Sequence, residues 1–387
     1  MSGKSLGILA VLAAVLIGVA VYLSNRQPQT IEGMDQPLFP GLENDINDVQ
    51  HVTIESADHT VNIARKGDQW TVEERHGYPA SVSQIRQLLI GIAGLTRIEP
   101  KTRNPKLYSQ IGLQDVKDKG SKATLIEVDN GQGGSMAALL VGTQQPDKGD
   151  PTRKEYFVRK KGEHQSWLVS GDLLLDSAPS RWLHPELLDI KKARIHKVTV
   201  ARESGKPVTV FKHDPEASDF QLADLPKGAR IKSTFTINEI ATTLGRLNVD
   251  DVFQPHDLML DRKPAFAATL ETFDGLRLTM KAYAHASSNK PRYVKLSAEY
   301  DPQLVHKPAS GNKGDKTKRT AALESPAQVK QEVQDLNKSF QPWIYKLPPF
   351  QINNIDKKRS DLVAEAGKPP AAKSKGAAPH MRKFSPR

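Results

Sequence analysis

The stretch "GYPASVSQIRQLLIGIAGLTRIEPKT", residues 77–102, contains a regular helical pattern. Four apolar side chains recur at offsets 0, 3, 7 and 10, namely Ile85, Leu88, Ile92 and Leu95. This spacing places side chains on one face of an α-helix. Ser81 or Ser83 precedes the pattern as a candidate N-cap, and Pro100 follows it, where a helix cannot continue. An apolar stripe of this kind faces a core in most helices, so we predict a core helix rather than an active-site or partner-binding one.

The same pattern occurs a second time, further along the chain. Its four apolar positions have the same offsets and are Ile237, Ile240, Leu244 and Leu247. Thr236 is the candidate N-cap, and Pro255 follows. Two alternating strands and an aromatic residue precede each helix, in "HVTIESADHTVNIARKGDQWTV" (51–72) and "KVTVARESGKPVTVFKHDPEASDFQL" (197–222).

The parallel between the two halves continues after the helices. Residues 122–142 and 265–284 each form an apparent β-hairpin around an Asp-Asn-Gly or Asp-Gly turn. We therefore predict an α+β fold made of two repeated modules, residues 48–190 and 191–355, each an antiparallel sheet with a packed helix. The second module carries an insertion at about residues 301–338, and "SPAQVKQEVQDLNKSF" at its end predicts a short amphipathic helix.

The N-terminus predicts a membrane anchor. Residues 6–23, "LGILAVLAAVLIGVAVYL", are uncharged and almost wholly apolar, close to the roughly 20 residues that cross a bilayer. The alternative is a cleaved signal peptide with a small-residue site at Gly18-Val19-Ala20, although such peptides have shorter apolar regions. We predict a cytoplasmic stub and anchor at residues 1–23 and a polar linker at 24–47. The chain would then be a single-pass inner-membrane protein with its bulk in the periplasm.

Positive charge is concentrated at the C-terminus. The 387-residue chain has a net charge of +11, and residues 356–387 hold nine Lys/Arg against three acidic residues. We predict a disordered basic tail, because this Ala/Pro/Lys-rich segment cannot bury a core. It could attract an anionic surface or act only as a solubilising tail. Nucleic-acid binding is not expected, since such a domain needs its basic surface on the fold.

No pattern in the sequence identifies a catalytic or metal site. The chain has no cysteine, which excludes disulfides, thiol nucleophiles and cysteine-ligated metals. Its eleven histidines are scattered, and no Gly-x-Ser-x-Gly elbow or phosphate-binding loop is complete. We therefore predict no enzyme activity, no cofactor and no metal. The competing hypothesis is a hydrolase whose Asp, His and Ser residues come together only in the fold.

The segment "EPKTRNPKLYSQIGL", residues 99–113, is the candidate site for a partner. Its four candidate contact residues are Lys101, Arg103, Lys106 and Tyr108. Arginine and aromatic residues are enriched in protein interfaces. The alternative is that Tyr108 and its apolar neighbours Ile111 and Leu113 dock a short helix on the module.

These motifs also resemble those of a known family. "LFPGL" (38–42), "WTV" (70–72), "GYPAS" (77–81) and "EPKTRNPKLYSQIGL" (99–113) resemble the bacterial domain-of-unknown-function 4340 family. The second repeat departs from that pattern. The resemblance implies a single N-terminal anchor. Members of that family are often encoded beside ABC transporters of the gliding-motility type, which implies an accessory role in an envelope complex. It implies no catalytic residues.

Two functions follow from these expectations. The leading one is a non-enzymatic, membrane-tethered periplasmic scaffold or accessory subunit that holds a membrane or envelope protein, such as an ABC transporter. The alternative is an envelope module that binds a glycan, lipid or peptide between the repeats. An enclosed pocket with converging polar groups would favour the second, and a broad exposed patch the first.

Overall fold

A computed structural model describes residues 34–146, 154–288, 290–306 and 323–364 of the chain. The chain divides into two compact units, Met1–His184 (unit 1) and Pro185–Arg387 (unit 2). Within the described residues, no helix combines the length and apolarity needed to cross a membrane. The predicted anchor at residues 6–23 lies outside the described residues.

Unit 1 is built on a nine-stranded antiparallel sheet, as predicted for the first module. Its strands are β1 (His51–Glu55), β2 (Thr60–Lys66), β3 (Gln69–Val72), β4 (Tyr78–Pro79), β5 (Thr96–Pro100), β6 (Thr124–Asp129), β7 (Ser135–Pro146), β8 (Lys154–Lys160) and β9 (Ser166–Gly171). They are arranged in the order β4-β3-β2-β1-β6-β7-β8-β9-β5. The central strand β1 alternates as its sequence predicts, with Val52 and Ile54 fully buried and Thr53 between them less so.

Within the described residues, unit 1 contains two α-helices. They are α1 (Leu42–Asp45) and α2 (Val82–Ala93). The predicted core stripe of α2 is confirmed: Ile85, Leu88 and Ile92 are at most 2% exposed. The helix begins after Ser81, and its last turn ends at Gly94, whose backbone N–H donates to Ile90.

The second face of the unit 1 sheet is also buried, which the sequence did not predict. Leu125 pairs with Leu140 across β6 and β7. Since neighbours on a strand point to opposite faces, these two lie opposite the core residues Ile126 and Leu139. They form a second apolar cluster with residues that follow β5, namely Tyr108, Leu113, Val116 and Ala123.

The predicted linker at residues 24–47 is wrong from residue 35 onward. The N–H of Asp35 donates to the carbonyl of Arg97 at 2.9 Å, and that of Leu38 donates to Leu95 at 2.7 Å. Leu38 is fully buried, and Leu42 in α1 is 4% exposed. These residues pair with the edge of the sheet at β5, so backbone groups that an edge strand leaves open are satisfied here.

Unit 2 contains an eight-stranded antiparallel sheet and a two-stranded one. The larger sheet holds β10 (Ile195–Arg202), β11 (Val208–Phe211), β12 (Gln221–Leu222), β14 (Asp251–Phe253), β15 (Phe266–Thr272), β16 (Leu276–Ala284), β17 (Pro291–Tyr300) and β18 (Ile344–Lys346). Its order is β12-β11-β10-β15-β16-β17-β18-β14. The smaller sheet pairs β13 (Arg230–Ile231) with β19 (Val363–Ala364).

Within the described residues, unit 2 contains the helices α3 (Thr234–Gly245), α4 (Pro326–Phe340), α5 (Pro349–Ile355) and α6 (Arg359–Leu362). The predicted apolar stripe of α3 is buried, but its N-cap is Ser233 rather than Thr236. Ser233 Oγ accepts the backbone N–H of Thr236 at 3.3 Å, so Thr236 already lies inside the first turn. The amphipathic helix predicted in the insertion is α4, which begins with a capping box at Ser325 and packs along β17.

The predicted disordered tail differs from the structure over its first nine residues. Residues 356–364 contain α6 and β19, and β19 pairs with β13. Arg202 forms an ion pair with Asp356, and Arg359 donates to the carbonyl of Ala223 at 3.3 Å. These contacts hold the start of the predicted tail against unit 2. Residues 365–387 lie outside the described residues.

Candidate partner-binding surface

Tyr108, one of the four predicted contact residues, belongs to the core of unit 1. It lies on a 3₁₀-helix, Pro105–Ile111, and is 6% exposed. Its hydroxyl donates to the carbonyl of His164 at 2.7 Å, and the guanidinium of Arg159 lies 4.7 Å from its ring centre. The burial of Tyr108 disfavours a direct contact of this side chain with a partner, which stays a prediction. The competing interpretation, a short helix docked by apolar residues, agrees with the geometry.

The three predicted cations remain at the surface. Lys101 Nζ lies 2.8 Å from Glu99 and 5.7 Å from the centre of the Phe157 ring. Arg103 Nε donates to the side-chain oxygen of Gln165 at 2.7 Å. Lys106 is exposed, and its backbone N–H is capped by the side chain of Asn104 at 3.1 Å. Their contact with a partner stays a prediction.

A second exposed surface lies on helix α2, on the side away from its core stripe. Val82, Arg86 and Ile90 are spaced four residues apart and therefore form one row, which we call the outer stripe. Val82 is 48% exposed and Ile90 is 56% exposed. The core periodicity dominates this helix in the sequence. In the sequence, the outer stripe is visible only as two apolar residues, Val82 and Ile90, at positions outside the core periodicity.

An open groove of about 530 Å³ runs beside the outer stripe. It is lined by Ser83, Arg86, Gln87, Ile90, Gly91, Gly94, Gly171 and Asp172. The helix and the chain after β9 approach closely here, since a Cβ on Gly91 would lie 2.3 Å from the carbonyl oxygen of Asp172. Asp172 pairs with Lys154 at 2.9 Å, and this hydrogen bond raises the pKa of Lys154. The groove thus has an apolar, glycine-lined floor with charges on its rim.

Unit 2 has its own groove, of about 420 Å³, beside the C-terminal half of α3. Thr242, Thr243 and Arg246 line its helix side, and Phe350, which is 59% exposed, lines the side formed by α5. Arg246 pairs with Asp189 at 3.0 Å. The groove of unit 1 therefore lies between α2 and the chain after β9, and that of unit 2 lies between α3, α5 and the segment before β10.

A third cavity, of about 580 Å³, is polar and lies at one end of β1 in unit 1. It is lined by Asp48, Gln50, His51, Arg65, Asn130, Gly131 and Gln132. The His51 ring nitrogen lies 3.1 Å from the Asp129 carboxylate, which also accepts the N–H of Gly131 at 2.7 Å. The guanidinium of Arg65 donates to the carbonyls of Asn47 and Gly67. Amides and charged groups of this kind suit a polar ligand such as a sugar.

Among the described residues of unit 2, Lys212 is the lysine whose pKa is shifted most, and it lines none of these three cavities. Lys212 is 1% exposed, and its Nζ donates to the carbonyl of Pro215 at 2.7 Å. Burial lowers the pKa of Lys212 to about 8. Its own carbonyl lies 2.8 Å from Nδ1 of His196, whose pKa burial also lowers. The His196 side chain links β10 to the end of β11, and the Lys212 side chain holds the loop after β11, so both have a structural role.

The family model described as a domain of unknown function (DUF4340) matches residues 70–264. The chain belongs to the DUF4340 family. The resemblance inferred from the sequence motifs is thereby confirmed. The DUF4340 match begins at Trp70 in β3 and includes α2 with its outer stripe. Neither a curated protein nor a solved structure matches the chain.

Proposed function

We propose that this DUF4340 protein is a non-enzymatic, membrane-tethered scaffold that binds another envelope protein through unit 1. The outer stripe of α2 and its groove are the observation that carries this proposal. Family resemblance points to an ABC transporter complex as the assembly concerned. Residues 6–23 would supply the tether, and both units would lie in the periplasm.

The outer stripe has the composition expected of an interface. Single exposed apolar residues are common on protein surfaces and need no explanation. Here Val82 and Ile90 lie in one row beside a groove whose floor is made of glycines, with Arg86 and Asp172 at the rim. A glycine floor lets a partner backbone approach closely, and the rim charges would orient it. We propose an amphipathic helix of the partner as the segment that binds there.

We further propose that the two units are copies of one module. If β4 is set aside, the order β3-β2-β1-β6-β7-β8-β9-β5 in unit 1 corresponds, position by position, to β12-β11-β10-β15-β16-β17-β18-β14 in unit 2. Along the chain, helix α2 immediately precedes β5, and helix α3 immediately precedes β14. This correspondence supports the repeat that the apolar spacing predicts. A duplicated scaffold would offer two related grooves to its partner.

Charge-introducing variants of the outer stripe test the proposal. Val82→Glu with Ile90→Glu should lower recovery of the crosslinked partner about tenfold or more, because both side chains would bring charge into an apolar contact. Met259→Glu is the matched control, since Met259 is 78% exposed in unit 2. A second variant, Lys101→Glu with Arg103→Glu, tests the predicted basic contact separately. Undiminished recovery with the outer-stripe variant, at normal protein level, would contradict the proposal.

The polar cavity of unit 1 favours a second candidate function, in which the chain binds an envelope glycan. Titration calorimetry with soluble wall-glycan fragments tests this candidate. Binding that is lost in Arg65→Ala and His51→Ala would support it, and no measurable heat would reject it. The lipid and peptide alternatives remain hypotheses for which we identify no dedicated cavity in the described residues.

A further inference from the structure

Residues 224–235, "DLPKGARIKSTF", form an exposed edge of unit 2 that combines apolar and basic side chains. Three large apolar residues are exposed on it: Leu225 at 40%, Ile231 at 37% and Phe235 at 70%. Three cations alternate with them along the chain, namely Lys227, Arg230 and Lys232. Asp224 is the single acidic residue of the stretch. We call residues 224–235 the basic-apolar edge.

The backbone of this edge is held in place. β13 pairs with β19, which places Ile231 opposite Val363. The N–H of Lys232 donates to Leu362 at 2.8 Å, and Ser233 caps α3 immediately afterwards. Ile231 and Phe235 are therefore presented from a paired strand and a helix N-terminus, so little ordering is needed before they contact a partner.

The cations of the edge have few internal partners. Lys232 Nζ donates to the carbonyl of Ser360 at 2.7 Å. Among the described residues, no carboxylate pairs with Lys227, Arg230 or Lys232. Lys357 and Lys358 lie on the segment that carries α6 and β19 to this edge. Arg359 on the same segment adds a cation, and Asp356 and Asp361 add two acidic residues, so residues 224–235 and 356–364 together hold six cations against three acidic residues and keep a net positive charge.

We propose that the basic-apolar edge docks on the surface of an anionic lipid bilayer. Leu225, Ile231 and Phe235 would enter the interfacial layer, and the cations would meet lipid phosphates. Each basic residue near an anionic surface is worth about a fivefold change in affinity. A nucleic acid would also attract the cations, but it would leave the exposed apolar side chains in water; an acidic protein partner is the outcome that the extract control below detects. The combination of both residue classes is typical of surfaces that lie in the bilayer interface.

This inference is independent of the partner-binding proposal, which concerns unit 1. The basic tail predicted from the sequence would attract an anionic surface by charge alone, whereas this proposal assigns the membrane contact to folded residues of unit 2. It predicts that unit 2 approaches the bilayer through a defined edge, and that this contact requires anionic lipid.

The absence of cysteine allows a site-specific test. Thr234→Cys, an exposed position beside Phe235, would carry an environment-sensitive fluorophore, and Met259→Cys would carry the same label as the control. The full chain is reconstituted into vesicles of phosphatidylcholine alone or mixed with phosphatidylglycerol, with brominated lipid as the quencher. We expect the label at 234 to be blue-shifted and quenched at least twofold more in phosphatidylglycerol vesicles. The label at 259 should change little.

Charge variants complete the test. Lys227→Glu, Arg230→Glu and Lys232→Glu together should remove the lipid-dependent quenching at 234, and single Gln variants should reduce it in steps. The Gln variants also keep the test valid if the triple variant does not fold. Equal quenching at positions 234 and 259, or quenching indifferent to phosphatidylglycerol, would overturn the proposal. So would a label that responds to a membrane-protein extract but not to vesicles.

Discussion

Lys212 shows how one residue can tie a loop to a sheet at an electrostatic cost. Its ammonium donates to the carbonyl of Pro215 and lies 5.5 Å from the centre of the Phe220 ring and 6.0 Å from that of Phe273. A buried ammonium loses its hydration, and one carbonyl with two ring faces replaces that hydration only in part. The pKa of Lys212 is lowered because its hydration is replaced only in part.

The stability of unit 2 should therefore rise with pH in a defined window. The pKa of Lys212 is about 8 in the fold and 10.5 ordinarily, so between these values the unfolded chain binds more protons. The free energy of unfolding should increase by up to about 3 kcal/mol as pH rises through this window. Urea titrations of the full chain at about pH 7, below the window, and at about pH 9 and 10, within it, measure the increase.

Lys212→Met is the control for that pH dependence. Met has a similar length, fills the same space between the rings and has no proton to release. The rise in stability between pH 8 and 10.5 should disappear in this variant. A rise of the same size in Lys212→Met would assign the effect to another group.

Arg194 and Asp274 form a buried ion pair that also fixes helix α4. Arg194 Nε lies 2.7 Å from Asp274, and its Nη2 lies 2.7 Å from Glu332 on α4. Asp274→Asn removes the charge in almost the same volume, so Arg194 keeps only the more exposed Glu332. We expect a loss of about 2–3 kcal/mol in the free energy of unfolding, since breaking a buried pair leaves an uncompensated charge.

A surface ion pair gives the comparison for Asp274→Asn. Glu299 pairs with Arg277 at 3.0 Å but is 62% exposed, so Glu299→Gln should change stability by less than about 1 kcal/mol. Both variants can be measured by urea unfolding under the same conditions. Similar losses in the two variants would contradict the assigned role of burial.

The burial of a single residue could be predicted from the sequence where it depends only on neighbouring residues in the chain. The burial of Ile85 and Leu88 follows from spacing within one helix. The N-cap at Ser233 was missed, because Thr236 is equally suitable in composition and only backbone geometry distinguishes them. The burial of Lys212 could not be predicted, since it depends on the loop conformation that brings Phe220 near and on Phe273, which is distant in the sequence.

At the scale of elements, Gly91 sets how closely α2 approaches the chain after β9. Alanine normally stabilises a helix relative to glycine by about 1 kcal/mol. At position 91, however, a Cβ would lie 2.3 Å from the carbonyl oxygen of Asp172, a backbone atom that cannot move alone. We expect Gly91→Ala to destabilise unit 1 by about 1–3 kcal/mol, measured by urea unfolding.

Gly94→Ala is the matched control in the same helix. Its Cβ would meet the carbonyl oxygen of Ile90 at 3.2 Å and has no closer neighbour within the described residues. We therefore expect a change of less than about 1 kcal/mol. If Gly91→Ala proved as stable as Gly94→Ala, the helix would not be in the close contact that forms the groove.

The elements that escaped prediction are those that depend on long-range pairing. The short segment at residues 35–38 has no strand pattern of its own, and it pairs with β5 because that strand would otherwise leave an open edge. The segment after β5 covers the second face of the sheet, although its apolar residues are few and irregularly spaced. The main helices and long strands were predictable because their periodicity is contained within each element.

At the scale of the whole molecule, the repeated apolar spacing predicted two antiparallel sheets, and the described residues contain a nine-stranded and an eight-stranded one, with a further two-stranded sheet in unit 2. The outer stripe and its groove were not predictable, because they form where a helix from one part of the chain meets a turn from another. Membrane attachment and the partner rest on residues 6–23 and on family resemblance, and they stay proposals. A protease-protection assay that placed unit 1 in the cytoplasm would contradict the proposed topology.

Site-specific photo-crosslinking in intact cells tests the scaffold proposal most directly. A photoreactive amino acid replaces Gln87, which lines the groove beside the outer stripe, and in parallel Met259 in unit 2. We predict a crosslink from position 87 to one membrane protein in stoichiometric yield, and none of that species from position 259. Position 87 yielding only lipid or wall material, or the same species as position 259, would contradict the proposal that unit 1 binds a partner through this surface.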